Sequence, residues 1–255
     1  MKGLLCYYSG TGNTKLAVQY IAKKTKNCEW SFHDFMKDGT PDTVGYDIIG
    51  IAAWTDFFGP PLFLKNCLKK MKGHKKHAFV FNTYGNMSGR TLPVLKSCVR
   101  KQGFKVIGGH SLNTPENFPP LINNGLKNDT APSTVELKKF DTFINELDEW
   151  FFNSSSKVSF PFDGYLMPVF PRAMAKMFIK KKVADPGICT QCGLCKTLCP
   201  YDAISLAPFP VFNEKKCNGC WVCYNRCPVS AISVGSLRTE GKYEKPHENL
   251  IKKLI

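Results

Sequence analysis

Eight of the twelve cysteines are confined to residues 189–227. They form two runs of one pattern, C-x2-C-x2-C-x3-C-P. The first holds Cys189, Cys192, Cys195, Cys199 and Pro200; the second holds Cys217, Cys220, Cys223, Cys227 and Pro228. A near copy follows each proline, Tyr201-Asp202-Ala203-Ile204-Ser205 and Val229-Ser230-Ala231-Ile232-Ser233, so the unit repeats every 28 residues. Thiolates are soft ligands that suit iron, and a four-iron cubane takes four of them. Three closely spaced cysteines let one loop wrap successive corners of a cluster. Gly193 and Gly219 let backbone amides come close to sulfide. Zinc is the competing reading, since paired C-x2-C knuckles also bind it, but zinc needs neither the third cysteine of each run nor the proline after it. A disulfide framework needs a secretory context. The apolar stretch Gly3–Tyr8 is too short for a signal peptide, and a cytoplasmic location is expected.

A second set of residues sits near the N-terminus. The apolar run Lys2–Tyr8 leads into Ser9-Gly10-Thr11-Gly12-Asn13-Thr14, after which Leu16, Ala17, Tyr20 and Ile21 recur at helical spacing. Amides at a helix start, joined by three hydroxyls, suit a terminal phosphate dianion. No lysine directly follows Gly12, which argues against a nucleoside triphosphatase. An ordinary capped helix start accounts for much of the same sequence. Two further loops are expected beside this one, Ala53-Trp54-Thr55-Asp56-Phe57-Phe58 and Thr83-Tyr84-Gly85-Asn86-Met87. Trp54 and Tyr84 offer flat faces to a flavin ring. The plainer readings are that Trp54 closes the sheet end and Tyr84 is a surface loop residue.

The elements that must hold these loops alternate. Strand-like runs at Lys2–Tyr8, Trp30–Phe35, Asp47–Ala53, His77–Thr83 and Phe104–Leu112 are separated by helical patterns at Thr14–Lys24, Pro61–Met71 and Gly89–Lys101. Thr134–Phe152 follows as the longest helix, with Ser133 or Thr134 available as its cap. Such alternation predicts an α/β domain, a five-stranded parallel sheet with helices on both faces in the flavodoxin-like order 2-1-3-4-5. The expected organisation is this domain over 1–153, an apolar and basic connector over 154–183, the small α+β cysteine domain over 184–238, and a tail over 239–255 read as a partly ordered solvated end. The connector reads as a packing segment between domains. A membrane-surface helix is disfavoured because Pro168 and Pro171 interrupt it.

Residues 185–237 resemble a bacterial-type 2[4Fe-4S] ferredoxin, with every ligand position filled. In two-cluster ferredoxins the fourth cysteine of each run reaches the other cluster. The resemblance therefore implies one cluster on Cys189, Cys192, Cys195 and Cys227, and another on Cys217, Cys220, Cys223 and Cys199. Residues 1–150 resemble flavodoxin, with Ser9 to Thr14 as the matching phosphate motif. That likeness implies FMN held by Ser9, Gly10, Thr11, Gly12, Asn13 and Thr14, with Ala53, Trp54, Thr55, Thr83, Tyr84, Gly85 and Asn86 around the ring. The loop from Tyr84 to Gly89 departs from the acidic-aromatic pattern of common flavodoxins. The whole chain resembles the flavodoxin–ferredoxin fusion proteins of anaerobes. The function this implies is electron transfer between FMN and two [4Fe-4S] clusters, converting between two-electron and one-electron chemistry. Two alternatives stand beside it. One is an FMN and iron–sulfur oxidoreductase acting on a small acceptor, such as a quinone or deazaflavin, near Phe57, Phe58 and Met87. The other is a flavin-free docking domain that carries a ferredoxin. No catalytic residue stands out.

Composition narrows the partners. The 255 residues are 43% apolar and 22% charged, a globular balance. The net charge of +15 favours acidic partners, redox proteins among them, and the segment 156–182 is its densest source. The basic residues are not interleaved with base-stacking aromatics, so nucleic acid is not an expected partner. The longest apolar stretch, Gly164–Ile179, is broken by Pro168, Pro171 and Arg172, so no transmembrane span is expected. Cys6, Cys28, Cys67 and Cys98 read as inert thiols. His33, His74, His77, His110 and His247 lie in no ligand pattern. Lys69 to Lys76 reads as the solvated end of a helix, the sharper alternative being a docking patch for an acidic redox protein.

Overall fold

The computed structural model describes residues 1–167, 174–175 and 180–255. Five strands, β1 (Lys2–Tyr7), β2 (Glu29–Asp34), β3 (Ile48–Trp54), β4 (His77–Tyr84) and β5 (Lys105–Asn113), form one all-parallel sheet in the order β2-β1-β3-β4-β5. Sequence explains their places. The near-continuous apolar runs of β1, β3 and β4 can be buried on both faces, which central strands require. The polar Glu-Trp-Ser-Phe-His-Asp of β2 is confined to an edge. One face is covered by α1 (Asn13–Lys24) and α5 (Thr134–Phe152), which bury Ile21, Phe140, Phe143 and Leu147 against Leu5, Phe79 and Phe81. The other is covered by α2 (Leu62–Leu68) and α3 (Thr91–Lys101), which bury Leu64 and Leu95 against Leu4, Ile49, Ile51 and Val80. Ser133 caps α5 in a capping box with Glu136. From β1 the chain turns to β2 on one side and β3 on the other, so the crevice at their carboxyl ends is the topological switch point.

The cysteine module is built twice over. β6 (Lys182–Ala184) pairs antiparallel with β9 (Ile232–Val234), and β7 (Ile204–Leu206) with β8 (Pro210–Phe212). Short helical turns, Leu194–Thr197 and Val222–Asn225, follow the two cysteine loops. Left-handed backbone recurs at the 28-residue spacing: Gln191 (φ 56°) with Gly219 (φ 68°), Gly193 (φ 73°) with Trp221 (φ 61°), and Asp202 (φ 47°) with Ser230 (φ 54°). A bulky side chain in this conformation costs about 1–2 kcal/mol, so Trp221 must be held there by its surroundings.

The tail differs from its expected solvated state. Residues Glu248–Leu254 form a helix that buries Leu250 and Leu254 in the core beneath α1 and α5. Asn249 donates to the Asp129 carbonyl and Lys253 to those of Thr130 and Pro132. Much of the connector, including Pro168, Pro171 and Arg172, lies outside the described residues. Among the described residues no helix is long and apolar enough to cross a membrane. Cys6 and Cys28 are buried, and burial pushes the Cys28 thiol up to about 12. His110 stacks on Phe81, Phe140 and Phe143. The Lys69–Lys76 segment ends where β4 begins at His77, a strand length of roughly 20–25 Å from the carboxyl end of the sheet.

Candidate metal centres and the adjoining cavity

Each cysteine loop is presented by its helical turn, and each gains its fourth thiol from the other repeat. Cys217, Cys220 and Cys223 line a small cavity together with Cys199 of the first run. Around Cys195 the acting thiols are Cys227, from the second run, then Cys189 and Cys192. The repeats treat the fourth cysteine identically. The Ala203 amide lies 3.4 Å from Cys199 Sγ and the Ala231 amide 3.3 Å from Cys227 Sγ. Such N–H···S contacts stabilise negative charge on sulfur and tune a cluster's potential. Desolvation pushes the Cys220 thiol up to about 12 and the Cys223 thiol well above its ordinary value. A bare thiolate is therefore disfavoured there, and a cationic ligand core is what would deprotonate it. All twelve cysteines are free of disulfides.

The two repeats differ sharply in what covers them. Thr190, Gln191, Cys192, Lys196 and Thr197 are exposed. At the matching positions of the second repeat, Asn218, Tyr224 and Asn225 are buried, as are Trp221 and Val222. The cover is the first domain. Asn218 Nδ2 donates to Asp56 Oδ2 (3.3 Å), Asn225 Nδ2 donates to the Asn117 carbonyl (2.9 Å), and Trp221 packs edge-on to Phe118 with ring centroids 5.6 Å apart.

Next to this contact is a cavity of about 1000 Å³. Its walls include Trp54, Thr55, Thr83, Tyr84, Gly85 and Asn86 from the sheet's carboxyl end, and Gly219, Cys220 and Trp221 from the second cysteine loop. Phe57, Phe58 and Met87 also line it. Cys220 and Trp221 border both the thiol-lined cavity and this one. Trp54 Nε1 is buried and finds no partner among the described residues. Ala53, wholly buried within β3, is not part of the wall.

The loop Ser9–Thr14 is not on the cavity wall either. It lies beneath the cysteine module and the tail. A Cβ on Gly10 would stand 2.8 Å from Val222 Cγ2, and one on Gly12 (φ 109°) 2.8 Å from Pro246 Cγ. Tyr243 donates its hydroxyl to Asn13 Oδ1 (2.9 Å), and the His247 amide donates back to that hydroxyl oxygen. The loop still suits an anion. Ser9 Oγ accepts the amides of Gly12 and Lys15, and Thr11 Oγ1 accepts from Asn117 Nδ2 (2.8 Å), so each hydroxyl keeps its proton to donate. The first amides of α1 have no acceptor within the helix. Asn117 joins the two halves, since it lines the cavity and touches Thr11.

Glu116 was not singled out by spacing. Its buried carboxylate accepts from the Asn86, Asn117 and Phe118 amides and from Asn86 Nδ2 (2.8 Å), and it packs on Gly85 so closely that no Cβ would fit there. It thereby fixes the Tyr84–Asn86 loop. Thr14 and Thr83 share a hydroxyl contact of 2.8 Å that ties the helix start to β4. Asn117 and Tyr243 carry no local signal either, because their partners lie far away in the chain.

Residues 182–205 and 210–233 each match the 4Fe-4S binding domain family, Fer4. No curated protein matches the chain. Among solved structures, a flavodoxin from the domain Archaea is 16% identical, covering 60% of this chain and 100% of that one at a TM-score of 0.45. Oxidised Flavodoxin 1 from Bacillus cereus is 19% identical, covering 58% of this chain and 98% of that one at 0.45. A flavoprotein in complex with FMN from Lactobacillus acidophilus NCFM is 22% identical, covering 43% and 92% at 0.35. The strand order itself makes the first domain flavodoxin-like. The chain thus joins a flavodoxin-like fold to a pair of 4Fe-4S binding repeats, a redox pairing.

Proposed function

We propose that this fusion of a flavodoxin-like domain with two 4Fe-4S binding repeats passes electrons between FMN and an external partner. The inner cluster would sit on Cys199, Cys217, Cys220 and Cys223, and the outer one on Cys189, Cys192, Cys195 and Cys227. The observation that carries this reading is the shared wall: Cys220 and Trp221 separate the thiol-lined cavity from the cavity at the sheet's carboxyl end. FMN, when bound, exchanges two electrons on one side and single electrons on the other.

The chain's own residues supply position and insulation. Trp54 and Tyr84 would face the ring, the hydroxyls of Ser9 and Thr11 with the first amides of α1 would hold the phosphate, and Val222, Tyr243 and Pro246 would keep water from it. Glu116 holds the ring loop in one conformation through four N–H donors. Cys192, exposed on the outer repeat, marks where a partner would dock. Lys196 is the single charged residue between Asp185 and Asp202, and the whole chain carries +15, so an acidic redox protein is the fitting partner and a second copy of this chain is disfavoured.

Anaerobic purification with iron, sulfide and flavin quantitation tests the reading. About eight irons per chain, from two four-iron clusters, and one FMN are expected. Zinc in place of iron, or no uptake of added FMN, would overturn it.

A further inference from the structure

Lys182 opens β6, yet it is only 3% exposed. Its Nζ is buried and meets no hydrogen-bond partner among the described residues. The residue lines the cavity formed by Cys199, Cys217, Cys220 and Cys223, and it is the cation whose charge acts on Cys223. The backbone amide of Lys182 donates to Glu214 Oε1 (3.2 Å), but its ammonium is not paired with that carboxylate. An ammonium buried without a partner is strongly disfavoured. Lysines normally avoid this by extending their tip to water. The arrangement makes sense if an anion fills the cavity, and four thiolates on a four-iron core leave a net negative charge there.

A second orphan points the same way from the other domain. Tyr8, the residue after β1, is 1% exposed, and its hydroxyl has no partner among the described residues. Of the ionisable groups acting on it, Cys220 comes first, followed by Tyr201, Asp56 and Cys199. Among the described residues the outer cysteines have no unpaired equivalent of either group: the largely buried Lys242 ammonium beside Cys227 is paired with Glu244 and donates to the Cys227 carbonyl and Ser230 Oγ. At the 28-residue spacing Lys182 corresponds to Pro210, which carries no charge. The Tyr8 hydroxyl belongs to the covering domain, which the outer cysteine loop does not face.

Resting on the reading that these cysteines hold a cluster, we propose that Lys182 is a built-in counter-charge to the inner cluster, with the Tyr8 hydroxyl as a supporting donor, and that it raises that cluster's reduction potential while leaving the outer cluster's unchanged. The reason is electrostatic. The reduced cluster is one charge more negative than the oxidised one, so a fixed cation in a dry site favours it. Without the cation, burial alone would push the potential down and electrons would bypass the inner position.

The test is a redox titration of the anaerobic full-length protein followed by electron paramagnetic resonance, with iron and sulfide measured on the same samples. In Lys182→Met one of the two cluster signals is expected to titrate at a lower potential while the other stays put. Lys182→Arg, which keeps the charge, should stay near the wild type, and Tyr8→Phe should lower the same signal by less. If Lys182→Met loses about four irons and Lys182→Arg does not, a cation is needed to assemble the inner cluster, which also supports the proposal. Unchanged potentials in Lys182→Met, equal shifts of both signals, or identical behaviour of the Met and Arg variants would overturn it. A wild-type protein without iron would instead overturn the underlying cluster reading.

Discussion

Leu250 tests whether the C-terminal helix is part of the fold. The side chain is wholly buried, packed in the core that contains Ile21, Phe140 and Leu147. Leu250→Ala removes three carbons from a site that the sheet and two long helices keep from collapsing. Such changes cost about 2–5 kcal/mol. A solvated tail would give a change within about 0.5 kcal/mol. The assay is urea unfolding of the anaerobic holoprotein, read from the helical circular dichroism that α1 and α5 dominate. With a slope of about 2–3 kcal/mol per M for a domain this size, the midpoint should fall by roughly 1–2 M at unchanged slope. The helix also anchors His247, whose amide donates to the Tyr243 hydroxyl over Asn13, so flavin should dialyse out of the variant faster. A midpoint within about 0.2 M of wild type, equivalent to about 0.5 kcal/mol at that slope, would refute the placement of this helix and the cover it gives the loop.

Gly12→Ala places a Cβ at a φ of 109° and 2.8 Å from Pro246 Cγ. It should cost at least about 1 kcal/mol and lower the flavin-to-protein ratio retained after dialysis. Burial, with a smaller contribution from Lys139, holds His110 down at about 4. The unfolded chain, with histidine near 6.5, then binds more protons between pH 6.5 and 4, so stability is full above 6.5 and is lost as pH falls through that window, by up to about 1.4 kcal/mol per pH unit. His110→Phe keeps the stack and should remove that share of the slope in urea midpoints measured from pH 7 to pH 4.5. Glu116→Gln should loosen the Tyr84–Asn86 loop, visible as faster amide exchange at Asn86, Asn117 and Phe118.

How much of this was legible in the sequence depends on the range of the forces involved. β1, β3, β4 and α5 announce themselves because burial on two faces, or on one helical stripe, leaves an unbroken local pattern, and Ser133 with Glu136 marks the start of α5. The pairing of β2 through β5 follows from topology once the alternation is read. The seven-residue helix Glu248–Leu254 leaves no such pattern, because a segment that short has little helical tendency of its own. It forms because Leu250 and Leu254 find a core made by distant residues. Spacing alone leaves open which cysteine loop faces the cavity, although the residue types around the two runs carry a signal. Trp221, Val222, Tyr224 and Asn225 replace Gly193, Leu194, Lys196 and Thr197, and a module that turns aromatic at one copy has something covering that copy. Lys182, Tyr8, Glu116 and Asn117 had no such signal. A lone lysine opening a strand looks like any surface lysine until the fold shows that water cannot reach it. The glycines at 10 and 12 make room for Val222 and Pro246, which no local pattern announces.

The central claim is the order in which the redox groups stand, and flash reduction of bound FMN tests it most directly, with bleaching of the cluster absorbance as the readout. Two variants isolate the clusters: Cys189→Ala with Cys192→Ala removes the outer one, and Cys217→Ala with Cys223→Ala removes the inner one. The arrangement predicts that bleaching keeps its wild-type rate when only the inner cluster remains, and becomes far slower when only the outer one does. Fast bleaching with the outer cluster alone would contradict the account.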